Sequence, residues 1–188
     1  MPNIVAHYIC GKLVAKKLNI TSNDFIKGNL IPDYIDKRKH YRVKGEFFEV
    51  PDLDKFMSEE HIKNKLLKLG FLTHLMLDKL FLDSYVIENI YSKIDKSTNI
   101  FEPDKIYTDY TNISNLLLKY YGLNLDDIDD IMLNSSTKID IEKYKSNTDV
   151  IRTCNSGYLK YLDPSSFISF LDSSSDKISE YVKKKKYI

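Results

Sequence analysis

The 188-residue chain is poor in several things at once, and each shortage closes off a class of function. Two cysteines, Cys10 and Cys154, are too few for a disulfide framework, which points to a reduced, cytoplasmic setting. The net charge is only +1, so no bulk field favours nucleic acid or an anionic membrane. The run of four lysines at residues 183–186 is the exception, and such runs are usually solvated helix ends. Residues 1–20 mix lysines and a histidine among their apolar positions and offer no cleavage site, so no secretory signal is expected. There is no glycine-rich phosphate loop, no Gly-x-Ser-x-Gly elbow and little strand-like alternation. Nor is there a repeat or an interdomain linker. With 43% hydrophobic residues, the expectation is one compact all-α domain over residues 1–188.

The elements follow from periodicity and caps. Val5, Ile9, Leu13 and Leu18 approximate one helical face, and Pro2 suits a helix start. Ser22 or Asn23 caps a short second helix that Gly28 is expected to stop. Residues 28–57, with their glycines, prolines and mixed charges, read as a long irregular loop, the kind of segment that carries sites on a rigid scaffold. Ser58 is expected to cap a helix reaching about Lys93, broken near Gly70. A further helix is capped near Thr108 or Asp109 and stopped by Gly122, and residues 124–133 form a short one. The last begins at Asp163 and Pro164.

Residues 70–87, "GFLTHLMLDKLFLDSYVI", approach membrane-span length, but His74, Asp78, Lys79 and Asp83 make them a buried helix of a soluble protein. His74 and Asp78 are four apart and so share one helix face. Buried polar groups must find partners. The chain has four histidines. His61 lies in a polar stretch and reads as a surface residue, whereas His7, His40 and His74 sit in apolar or turn-rich surroundings, with Asp33 and Asp78 in company. Imidazole with carboxylate suits zinc, iron or manganese. The plainer alternative is a hydrogen-bonded His74–Asp78 pair within the helix. Cys10, three residues from His7, lacks the third group a nucleophilic dyad needs.

Taken together, "MPNIVAHY", "GNLIPDYI", "KHYR" and "GFLTHLMLDKLFLDSYV" resemble the zinc-dependent phospholipase C family, especially its short bacterial intracellular members. The resemblance covers roughly residues 1–90. It implies that His7, His40 and His74 are zinc ligands, that Asp78 is a carboxylate able to bridge two metals, and that Asp33 is the general base. The family's later ligands, including a His-x-x-x-Glu pair, have no counterpart, since no histidine follows His74. The expectation is therefore one or two divalent ions, most suitably zinc, with Asp109 as a later carboxylate ligand or else a plain helix cap.

The function so implied is metal-dependent hydrolysis of a small-molecule or lipid phosphoester, in which the ion activates water and Asp33 takes its proton. Two rivals stay open. One is an HD-type phosphohydrolase, although the adjacent His-Asp pair it uses is absent. The other is a non-enzymatic helical binding module with a structural metal or His/Asp pair.

Overall fold

The computed structural model describes residues 2–35, 40–45, 49–91, 103–134, 138–154 and 157–187. Among these the architecture is all-α, with one small hairpin. In chain order the elements are α1 (Ile4–Lys17), α2 (Asn23–Leu30), a 3₁₀ turn (Ile31–Tyr34), strands β1 (Arg42–Lys44) and β2 (Glu49–Pro51), α3 (Leu53–Glu59) and α4 (Lys65–Leu80). Helix α4 runs on into a π-helical stretch (Phe81–Ile90), and α5 (Pro103–Tyr121), α6 (Leu125–Leu133), α7 (Ile141–Thr153) and α8 (Pro164–Lys184) complete the chain. The strands pair antiparallel with Val43 opposite Val50. No helix among the described residues is long and apolar enough to cross a membrane.

Helix α1 is the central rod. Its first eight residues, from Ile4 to Gly11, are all buried, and it packs against α2, α4, α5 and α8. It starts at Ile4, two residues after Pro2, because Asn3 is the better cap: its Oδ1 accepts from the Ala6 amide. Its Nδ2 donates to Ser114 Oγ at 2.8 Å and so ties the helix start to α5. A buried His7 is thus delivered on the most enclosed helix of the fold.

The α2–α4 crossing differs from the sequence expectation at two glycines. Gly28 does not stop α2, which continues to Leu30, and Gly70 does not break α4. Both glycines exist for closeness. A Cβ on Gly28 would lie 2.1 Å from the Leu67 carbonyl oxygen, and one on Gly70 would lie 2.0 Å from that of Phe25. Backbone therefore meets backbone here. The crossing brings the end of α2, and the turn after it, against the middle of α4.

Other boundaries shift for identifiable reasons. Asn64, not Ser58, caps α4, accepting from the Leu66 and Leu67 amides; Ser58 lies in the last turn of α3. The expected end near Lys93 lies outside the described residues. Helix α5 begins at Pro103, so Thr108 and Asp109 are interior positions and not caps. Residues 28–57 are less irregular than expected: the 3₁₀ turn, the hairpin and α3 occupy much of them. Helix α7 had a legible stripe, with Tyr144, Thr148 and Ile151 on its buried face, but its polar remainder masked it. Gly122 ends α5 at φ 64°, and Asp163 with Pro164 opens α8, both as the sequence implies. The lysines at 183–186 are exposed at the end of α8.

Candidate metal centre

Four separate segments send side chains to one point. Helix α1 supplies His7 and α4 supplies His74 and Asp78, all fully buried. The 3₁₀ turn supplies Asp33. His40, 3% exposed, precedes β1. Tyr41 next to it adopts a left-handed φ of 48°, a conformation costing about 1–3 kcal/mol in a non-glycine residue. Its ring against Phe56 and its hydroxyl on Glu60 hold that turn in place. The backbone can therefore reverse direction while His40 remains inside.

A backbone contact orients the His74 ring. His74 Nδ1 lies 3.0 Å from the Asn29 carbonyl oxygen. A carbonyl only accepts, so Nδ1 carries a proton and Nε2 is left to face the carboxylates. The Asn29 side chain donates through Nδ2 to the His7 carbonyl, gripping both histidine helices at once. Gly11 leaves room for it, since a Cβ there would sit 2.6 Å from Asn29 Nδ2. The His7 and His74 rings stack with centroids 3.7 Å apart and planes 12° from parallel.

The spacings around the centre are too long for hydrogen bonds and right for coordination. His7 Nε2 stands 3.4 Å from Asp78 Oδ1, and His74 Nε2 stands 3.5 Å from Asp78 Oδ2. Asp33 Oδ1 is 3.6 Å from His40 Nε2 and 3.8 Å from His74 Nε2. Hydrogen bonds of this type run about 2.7–3.2 Å. Two ligands at about 2.0–2.1 Å from one tetrahedral ion stand roughly 3.3–3.4 Å apart. Both Asp78 oxygens, both His7 ring nitrogens and His74 Nε2 are buried without a hydrogen bond. Burying an unpartnered carboxylate is very costly. At 3.5 Å, the His74–Asp78 pair is longer than an ordinary hydrogen bond. The donor set, three imidazoles and two carboxylates, fits a divalent transition metal.

Two groups of three have ligand atoms within 4.8 Å of one another: His7, Asp33 and His74, and His40, His74 and Asp78. His74 belongs to both but has one open nitrogen, so it could serve a single ion only. Asp78 turns one oxygen toward His7 and the other toward His74, and is the group able to reach two ions.

Electrostatics sharpen the picture. Burial lowers the proton affinity of His7, and neighbouring His74 lowers it further. Burial also works against a charged His74, but Asp78 and then Asp33 override it and raise its pKa above the ordinary value. For Asp78, burial opposes the charge, yet His74 and His7 hold the carboxyl below the usual range. A metal at His74 Nε2 would compete with a proton whose affinity Asp78 and Asp33 raise. Metal uptake is therefore expected to release protons, and affinity should rise with pH through the His74 titration. Calorimetric titrations in two buffers of different ionisation enthalpy read this directly; equal heats in both would contradict it.

A cavity of about 690 Å³ opens beside the cluster, with Asp33 and His40 in its wall next to Tyr34, Arg42, Tyr110 and Lys143. The Asp33 side chain is 21% exposed, so it is the carboxylate of the centre that faces the cavity. Asp109 stands apart from both groups. Its carboxylate accepts the amides of Lys160, Tyr161 and Leu162 at 2.6–3.1 Å, which corrects both expectations for it: it neither caps a helix nor joins the metal-ligand groups. Those three donors lie more than fifty residues downstream, where no spacing rule reaches them. Cys10 is buried, and burial pushes its thiol up to about 12, so it is no nucleophile. His61 is exposed. Sequence reasoning missed Asn29 and Tyr110. The position of Asn29, four residues before Asp33, was the available hint for the first; Tyr110 had none. No family model matches the chain, and neither a curated protein nor a solved structure matches it.

Proposed function

We propose that the chain is a metal-dependent phosphoester hydrolase of the zinc-dependent phospholipase C type. The observation that carries this reading is the set of 3.4–3.8 Å separations among buried ligand atoms that lack hydrogen bonds. His7, His40, His74 and Asp78 would hold one or two divalent ions, with zinc the best match to the donors. A divalent ion held by these residues would supply Lewis acidity toward phosphoryl oxygens and would make a nearby water more acidic. The protein does the rest. Asn29 fixes the His74 tautomer, and the stacked His7 ring keeps His74 from rotating. The core around α1 and α4 excludes water behind the centre. On the open side, Asp33 orients the attacking water and takes its proton. Its own pKa supports that role: burial raises it, but His74 and His40 bring it below the ordinary value, so it is a free base at neutral pH.

The reading is tested by loading the chain with zinc and screening phosphomonoesters and phosphodiesters, with a chelated sample as control. No turnover on any of them in a metal-replete sample would overturn it. Asp33→Asn keeps the size of the side chain and loses the base. It is expected to retain the wild-type metal stoichiometry while turnover falls about 10²–10⁴-fold. Loss of metal from that variant would make Asp33 a ligand instead.

A further inference from the structure

The cavity beside the centre has a wall that the hydrolytic reading does not use. Tyr110, on α5, is 2% exposed and lines the cavity, yet its hydroxyl has no hydrogen-bond partner. Other tyrosines whose rings are buried here are not left so. Tyr85 pairs with Ser166 Oγ at 2.9 Å, Tyr144 with Asp129, and the Tyr34 hydroxyl accepts from Asn147 at 3.3 Å. A buried hydroxyl without a partner is rare, because its desolvation is not repaid. The Tyr110 ring cannot swing away to find one: Phe81, Phe167 and Tyr107 surround it at centroid distances of 6.0, 6.1 and 6.4 Å. The phenol shares the cavity wall with Asp33 and His40 of the centre.

On α7, Lys143 lines the same cavity. Its ammonium group touches the Asp33 carbonyl and lies 5.5 Å from the Tyr34 ring centre. Neither contact neutralises its charge, and the cation is held against the very residue that faces the cavity. A rigid donor and a positioned cation on the open side of the centre are what a phosphoryl group needs for its non-bridging oxygens.

Resting on the hydrolase reading, we propose that Tyr110 and Lys143 form the phosphoryl-binding wall of the site. The Tyr110 phenol donates to a non-bridging oxygen and Lys143 supplies the counter-charge, so the cavity takes a small anionic phosphoester. Tyr110 is then a catalytic residue in the sense of touching the reacting group, and Lys143 contributes through charge.

The test uses the full metal-loaded chain and inorganic phosphate, titrated by calorimetry, with metal content measured on each sample. Tyr110→Phe removes one oxygen atom from a packed ring and leaves the packing intact. Both Tyr110→Phe and Lys143→Met are expected to keep wild-type metal content and to bind phosphate roughly tenfold to a hundredfold more weakly, as for the loss of a hydrogen bond to a charged group. For any ester that the wild type turns over, kcat/KM should fall in parallel. Wild-type phosphate affinity in Tyr110→Phe overturns the inference while turnover by the wild type keeps the hydrolase reading. Loss of metal from Tyr110→Phe also overturns it, because the phenol would then serve the ligands. A metal-loaded wild type that neither binds phosphate nor hydrolyses an ester removes both.

Discussion

Replacing Asp78 by asparagine is expected to empty the centre of metal. The side chain keeps its size, so the helix and its packing are not the cause. What changes is that the carboxylate between His7 and His74 becomes a neutral amide. Altering a group that merely supports a ligand typically costs 10–100-fold in metal affinity, and a ligand itself should cost at least about 10²-fold. A 10²-fold loss of affinity is roughly 2.7 kcal/mol of binding, so dialysed Asp78→Asn should retain less than about one-tenth of the wild-type metal. The same change is visible in unfolding. Metal at about 100 times its dissociation constant stabilises the wild type by about 2.7 kcal/mol. For a chain of this size that is a Tm rise of roughly 5–11 °C, and it should be absent in the variant. Asp83→Asn, five residues further along and exposed, is the control and should behave as wild type. Wild-type metal content in Asp78→Asn would mean that the cluster is not the centre.

Gly70→Ala is expected to be strongly destabilising for so small a substitution. Its Cβ would lie 2.0 Å from the Phe25 carbonyl oxygen, 2.8 Å from the Asn29 amide nitrogen and 3.0 Å from the Gly28 carbonyl carbon. All three are backbone atoms, so no side chain can step aside, and α2 must move off α4. Overpacking of this kind costs about 1–3 kcal/mol and sometimes more; a backbone clash on this scale belongs at the upper end. The Tm of the metal-free chain should fall by roughly 6–12 °C. Metal affinity should fall as well, since the shift carries away the Asn29 carbonyl that fixes His74. Gly122→Ala separates packing from backbone preference. That glycine has φ 64° but open space around its missing Cβ, so alanine there should cost only about 1–2 kcal/mol and leave metal binding unchanged. If Gly70→Ala melts with the wild type, the close crossing of α2 and α4 is not a feature of the folded chain.

How much of this was legible in the sequence depends on how local the cause was. The all-α class was, since caps such as Ser22 and Asp163 and the apolar stripes of α1, α4 and α8 are short-range signals. The shared face of His74 and Asp78 was too, because helix geometry alone dictates it. The meeting of His7, Asp33 and His40 with them came from the family resemblance rather than from any spacing within the chain. Gly28 and Gly70 misled, because a glycine that ends a helix and a glycine that lets another helix approach look alike in one dimension. Asn29 and Tyr110 were invisible for a different reason. Each acts through a partner, or the lack of one, that only the assembled fold defines.

The depth of the centre sets a rate as well as an affinity. His7, His74 and Asp78 have no exposed surface, and the cavity beside Asp33 and His40 is the open side. An ion leaving the centre must pass Asp33 or wait for α2 to part from α4. An ion held there would exchange chiefly through the Asp33 side, so the freedom of that side chain would set the rate. Were that route slow, the ion present when the chain folds would weigh more in the centre's composition than the ion that would bind best at equilibrium.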